Sequence, residues 1–300
     1  MDRLIPQRLA EITGTDLSSF EAHFQDQMLF VVILYGVVFV VGLALLFGFT
    51  LRIQSHPLDW DEPVRRLAWR PWNLPAAMGI VVPLVLIQVV FALAYYLFRG
   101  TADPGQTDNE RVLVVVQSLL FHWACFLLIG LSLHLRRLPW TTAFGLHSRT
   151  FWRDAGWGVA IMVGVMPLLI GYNFVAQMVM QWMGYEPPVQ DVTRIIFGAS
   201  DLATKIYFAL LAVVVAPVVE EMLFRGILLP ALTRKAGVKP AIVTVSLLFA
   251  AVHGHLPSAV PLFILSAALS LGYIYRGSLV TSIAMHSFFN SMTIAVIMRS

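Results

Sequence analysis

Residues 206–232 read IYFALLAVVVAPVVEEMLFRGILLPAL. At 1.5 Å per residue a helix of this length crosses a bilayer core of about 30 Å. Only Glu220, Glu221 and Arg225 are charged in it, and they sit near its middle. A charged group at the bilayer centre costs about 2.5–3.5 kcal/mol on insertion scales, so such residues mark function by default. The length of the run also excludes a β-barrel, whose strands span with about ten residues. The segment is a membrane helix with an ionisable cluster inside it.

The rest of the chain is built the same way. Of its 300 residues, 58% are hydrophobic and only 12% are charged. A soluble domain carries about 25% charged residues. Mean hydropathy is +0.78. Eight apolar segments can be drawn: Met28–Leu51, Leu74–Phe98, Val112–Leu135, Trp157–Met183, Ile206–Leu232, Pro240–His255, Ala259–Tyr275 and Leu279–Met298. They predict an all-α, polytopic membrane protein of about eight transmembrane helices, with an active-site cavity between the C-terminal ones. The sixth and seventh are short for a span and meet around Pro257 and Pro261, which suits a tight helical hairpin or a pair partly sunk in the protein.

Three regions are expected. Residues 1–27 form a polar segment, a short surface helix or a mobile stretch, with a turn-like Thr13–Ser19 and no apparent cleavable signal peptide. Residues 28–200 supply N-terminal transmembrane helices of unassigned role, and residues 201–300 carry the chemistry. The single cysteine, Cys125, lies in an apolar run and reads as a small buried side chain. A net charge of +3 is too small to suggest a nucleic-acid surface and fits basic cytoplasmic loops instead.

Lys and Arg in the short loops set the orientation. Twelve fall on one side: Arg52, Arg65, Arg66, Arg70, Arg136, Arg137, Arg149, Arg153, Arg234, Lys235, Lys239 and Arg276. Seven fall on the other: Arg3, Arg8, Arg99, Arg111, Arg194, Lys205 and Arg299. The first side is therefore expected to be cytoplasmic, with both termini opposite. At 1.5 Å per residue, Glu220 and His253 lie about 20 Å from the cytoplasmic end of their spans and His286 about 12 Å from its own. One site can hold all three.

Glu221 and Arg225 are spaced i, i+4 and share a helix face, so they can pair, and the pairing holds Glu221 ionised. Glu220 points about 100° away, free to face a cavity as a general base acting on water or as a metal ligand. His253 lies one turn beyond Phe249, where an imidazole can orient water, shuttle a proton or bind metal. His286 and Asn290 stack at i, i+4 and can aim two donors at a developing oxyanion, or form an interhelical polar clasp. Among the other polar span residues, Gln88, Gln117, His122 and Tyr172 read as interhelical partners. Asn173 and Gln177 are the pair best placed to face a substrate, and Gly226 would allow close helix approach or open the site.

The order Glu220-Glu221-x-x-x-Arg225, then Phe249-x-x-x-His253, then His286-x-x-x-Asn290 resembles the CPBP family of CAAX proteases and bacteriocin-processing enzymes, also called Abi or Rce1-like. The resemblance covers roughly residues 206–298. It implies an all-helical intramembrane endopeptidase, similar to CAAX prenyl protease 2, that cleaves peptide bonds near the membrane. By motif position, Glu220 would activate the attacking water with help from His253, and His286 and Asn290 would stabilise the oxyanion. Glu221 and Arg225 would support the site through their ion pair.

The family is described both as glutamate-dependent and as metallo-endopeptidase. There is no H-E-x-x-H signature here. Glu220, His253 and His286 with a water would also compose a ligand set for a divalent metal such as zinc, though none is required by the sequence. The implied partners are a peptide or membrane-protein substrate, prenylated or not, and the lipid bilayer. The expected location is a bacterial inner membrane. Two readings from other classes use the same Glu/His cluster: a proton-coupled transporter, and a non-catalytic membrane scaffold. The absence of an internal repeat pairing the two halves counts against the transporter.

Overall fold

In lipid a backbone N–H or C=O finds no water, so each spanning segment has to satisfy its own. The computed structural model obeys this: it describes residues 17–56, 59–98, 108–185, 187 and 201–299, and among them every regular element is helical. They run α1 (Leu17–Ser55), α2 (Asp61–Ala68), α3 (Leu74–Phe98), α4 (Asp108–Leu135), α5 (Trp140–Phe144), α6 (Phe151–Trp182), α7 (Leu202–Ala236), α8 (Val238–Val252), α9 (Ala259–Arg276) and α10 (Leu279–Arg299). Seven of these are long and apolar enough to cross a membrane. The chain is an integral, multi-pass membrane protein.

The eighth expected segment is α8. Its 15 residues span about 22 Å, short of a bilayer core. It packs along α9 through a turn at Leu256–Ser258, which makes the expected helical hairpin. Cys125 is fully buried, as expected. The polar lead-in differs from expectation. No Gly or Pro interrupts Leu17–Gln27, and that stretch continues the first span as one 39-residue helix. Residues 1–16 lie outside the described residues, and with them most of the turn expected at Thr13–Ser19.

The loops expected on one side do converge. Arg70 donates to the Thr142 carbonyl at 2.8 Å and to the Gly277 carbonyl at 2.6 Å, joining three separate loops. Arg234 donates to the Ala68 carbonyl at 2.7 Å, and Arg136 to the Pro71 carbonyl. The basic ends after α1, α4, α7 and α9 therefore share one end of the bundle. Of the residues assigned to the opposite side, Arg3, Arg8, Arg99 and Arg194 lie outside the described residues, as does the side chain of Arg111.

The core surrounds α7. Ile80 and Leu84 of α3, Cys125 and Ile129 of α4, and Phe144 of α5 meet Val219–Leu229 of α7, Phe249 of α8 and Tyr273 of α9 in one buried cluster. A second cluster joins Met162 and Met166 of α6 to Leu269 of α9 and Met285 of α10. Lipid tails are as apolar as these side chains, so association depends on close packing. Gly158 shows this: a Cβ there would lie 2.4 Å from the Thr281 carbonyl oxygen, and its absence lets α6 meet α10.

Candidate active site

Two prolines shape the helix that carries the glutamates. Proline lacks the amide hydrogen, and its ring clashes with the carbonyl four residues back. Ahead of Pro217 and again ahead of Pro230, α7 widens to π geometry, over Leu211–Val215 and Met222–Leu228. In the first π segment Ala216 N–H bonds to the Leu211 carbonyl, one residue further back than in an α-helix. The Ala212 carbonyl would next pair with residue 217, which has no N–H. Asn290 of α10 fills the gap, its Nδ2 donating to Ala212 O at 2.7 Å. Single π turns inside α-helices are common at functional sites; here the glutamate pair occupies the α-helical stretch between two of them.

Glu221 and Arg225 pair as expected, Arg225 Nη1 donating to Glu221 Oε1 at 2.8 Å, both fully buried. The guanidinium also donates to the Ser266 hydroxyl at 2.7 Å and to its carbonyl at 3.1 Å. It lies 4.7 Å from the centre of the Phe249 ring. An arginine so deep in a membrane core needs this many partners, since removing one partner of a buried pair costs several kcal/mol.

The same Glu221 oxygen takes a second contact. His286 Nδ1 lies 3.0 Å from Glu221 Oε1. An ionised carboxylate only accepts, so the hydrogen sits on Nδ1 and Nε2 faces outward. That nitrogen is 3.9 Å from Glu220 Oε2. The Glu220 side chain is 25% exposed, yet Oε2 is itself buried and without a hydrogen-bond partner among the described residues. The carboxylate oxygen thus faces a ring nitrogen without bonding to it.

His253 caps the end of α8 and is exposed. Its Nδ1 bonds to the Phe249 carbonyl at 2.7 Å, and a carbonyl, too, only accepts. Its Nε2 is therefore also an available acceptor. Phe249 holds the cluster together, with ring centroids 4.7 Å from His253, 5.7 Å from His286 and 5.2 Å from Phe224.

Glu221 thus bonds both Arg225 and His286, and Glu220 lies 3.9 Å from the far nitrogen of His286. His253 joins them through the Phe249 ring, and Asn290 through the α7 backbone. Gly226 allows close approach, since a Cβ there would lie 2.5 Å from the buried Phe144 ring. Glu220, His253 and His286 do not converge as ligands: among the described residues no three His, Cys, Asp or Glu side chains are placed to hold a metal ion. The arrangement does not fit a resident divalent cation.

Gln117 donates to Gln88 at 3.3 Å, and His122 bonds to the Ser118 carbonyl, as interhelical and local partners. Asn173 and Gln177 are exposed on α6. For the Ser266 contact the sequence holds a local signal, Ser266 and Ser270 one turn apart in an apolar span. The Glu221–His286 contact carried no sequence signal, because its partners are 65 residues apart.

Residues 202–292 match a family model described as type II CAAX prenyl endopeptidase Rce1-like. That family is one of intramembrane CAAX-type proteases, and the matched stretch holds every residue of the cluster. No curated protein and no solved structure matches the chain.

Proposed function

We propose, since residues 202–292 belong to the type II CAAX prenyl endopeptidase Rce1-like family, that this protein hydrolyses a peptide or membrane-protein substrate with a water activated by Glu220. The reading rests chiefly on the buried, unpartnered Glu220 Oε2 lying 3.9 Å from His286 Nε2. A water between them would give a proton to the Glu220 carboxylate as its oxygen attacks the scissile carbonyl. The carbonyl oxygen then carries the negative charge. Collapse breaks the C–N bond, and the proton held by Glu220 passes to the departing amine.

The other residues position these two. Glu221 fixes the ring orientation of His286, much as a buried carboxylate orients a catalytic histidine elsewhere. Two carboxylates here face one guanidinium. A hydrogen on His286 Nε2 would be donated to the oxyanion. Asn290 spends one N–H on Ala212 and keeps another for the same oxyanion. His253, whose Nε2 is an acceptor, assists by orienting the water. Residues 201–300 form the catalytic region, and the helices of residues 28–200 brace α7 through Phe144, Cys125 and Ile129. The location that we infer from the loop charges is a bacterial inner membrane, with the basic end of the bundle on the cytoplasmic side.

The test is cleavage of a library of prenylated and unmodified peptides by purified wild type and Glu220→Ala, with and without a chelator. Loss of cleavage in the variant, and indifference of the wild type to the chelator, are expected. Cleavage retained by Glu220→Ala removes Glu220 from its role. Loss of wild-type activity with the chelator moves the chemistry to a metal.

A further inference from the structure

A second polar site lies away from the glutamates, at the basic end of the bundle. A basin of about 980 Å³ opens between α2, the start of α6 and the α9–α10 turn. Arg276, on its wall, is ten residues from Ser266 on α9, about 15 Å along the helix from the Arg225 contact.

Five arginines line it: Arg65, Arg66, Arg70, Arg153 and Arg276. Three carboxylates oppose them. Two of the three are already paired, Glu62 with Arg66 at 2.9 Å and Asp154 with Arg276 at 2.6 Å. Asp59 caps the Asp61 amide. Arg70 is spent on backbone carbonyls. Arg65 and Arg153 have no ion-pair or side-chain hydrogen-bond partner among the described residues, and the basin keeps a formal charge of about +2. Ser278, 3% exposed on its wall, turns its hydroxyl to the Asp154 carboxylate and adds no free donor to the basin.

The setting selects the ligand. Trp69 on the basin wall and Trp152 beside Arg153 are each 83% exposed. An indole with an apolar body and a polar edge settles at the headgroup level of a bilayer. Large apolar side chains are exposed along α1 and α3, among them Val40, Phe47, Val85 and Val90. Basic pockets at the ends of membrane helices suit anionic headgroups, and arginine forks match phosphate oxygens in pairs.

We propose that this basin binds the phosphate of an anionic phospholipid headgroup, held by Arg65 and Arg153. It is independent of the peptidase reading. The test places the full chain in phosphatidylcholine nanodiscs with graded phosphatidylglycerol, and reads retained lipid by native mass spectrometry and thermal unfolding. Wild type is expected to retain phosphatidylglycerol and unfold at a higher temperature with it. Arg65→Gln/Arg153→Gln should bind roughly 30-fold more weakly, the loss of two interfacial arginines. Arg65→Lys/Arg153→Lys keeps the charge without the fork, should bind with an affinity between those of wild type and the glutamine variant, and serves as the folding control. Arg52→Gln/Arg149→Gln, at the same end but outside the basin, should match wild type.

Equal phosphatidylglycerol affinity in wild type and Arg65→Gln/Arg153→Gln overturns the site. An equal loss in Arg52→Gln/Arg149→Gln shows diffuse surface charge and overturns it too. Stabilisation by inorganic phosphate in pure phosphatidylcholine, with none from phosphatidylglycerol, overturns the lipid as the source.

Discussion

Glu221 Oε1 receives His286 Nδ1 at 3.0 Å while also holding Arg225 Nη1 at 2.8 Å. One carboxylate oxygen thereby ties the widened α7 to α10 and fixes which nitrogen of His286 faces Glu220. All three residues are at most 3% exposed, so the network has little recourse to water.

Arg225→Met leaves Glu221 as a buried charge without its guanidinium partner. Breaking a buried pair in this way costs about 3–5 kcal/mol. Unfolding of the purified variant in detergent should show a loss of that size, together with a lower membrane level. A change below about 1 kcal/mol would mean that Ser266 and Phe249 merely tolerate the arginine.

Asn290→Ala removes the donor to Ala212 O. An unsatisfied buried acceptor costs about 1–3 kcal/mol. Pro217→Ala restores a backbone N–H at the position the π turn leaves empty. The two changes are therefore expected to be non-additive in a double-mutant cycle, with part of the loss recovered in the pair. Strict additivity in the unfolding measurement would separate Asn290 from the proline gap.

Much of this arrangement was legible in the chain. Apolar length and loop arginines predicted the helices and which ends share a side, and the i, i+4 spacing predicted the Glu221–Arg225 pair. Contacts that join distant segments were not legible. His286 and Glu221 are 65 residues apart and Arg225 and Ser266 are 41 apart, and no local periodicity links them. The π turns had a cause in view, Pro217 and Pro230, but a proline in a helix kinks, breaks or widens it depending on what satisfies the freed carbonyl. That partner, Asn290, is 78 residues away. Read alone, the stacked His286 and Asn290 suggested a donor pair. In three dimensions each first serves α7.

Gly226→Ala puts a methyl group 2.5 Å from the Phe144 ring, which is itself fully buried. Overpacking of this kind costs about 1–3 kcal/mol. Phe144→Leu in the same chain should relieve part of the loss. A Gly226→Ala protein as stable as wild type would show that Phe144 yields freely and that α5 does not brace α7.

Phe249→Leu keeps an apolar side chain between the two histidines but removes the ring that Arg225, His253 and His286 pack against. Aromatic contacts of this type are worth about 0.5–1.5 kcal/mol each beyond their buried area. A modest loss of stability is expected, with a larger proportional loss in kcat than in KM, since the ring positions the histidines and touches no substrate in the proposed scheme. An unchanged kcat would remove Phe249 from the positioning role.

The most direct test is the cleavage rate of purified Glu220→Gln beside its unfolding free energy. Glutamine keeps the size and polarity of the side chain but cannot take the proton of water. Removing a general base lowers the rate about 10²–10⁴-fold; a fall of that size is expected, with stability within about 0.5 kcal/mol of wild type. Cleavage within tenfold of wild type by a protein of unchanged stability would contradict Glu220 as the base.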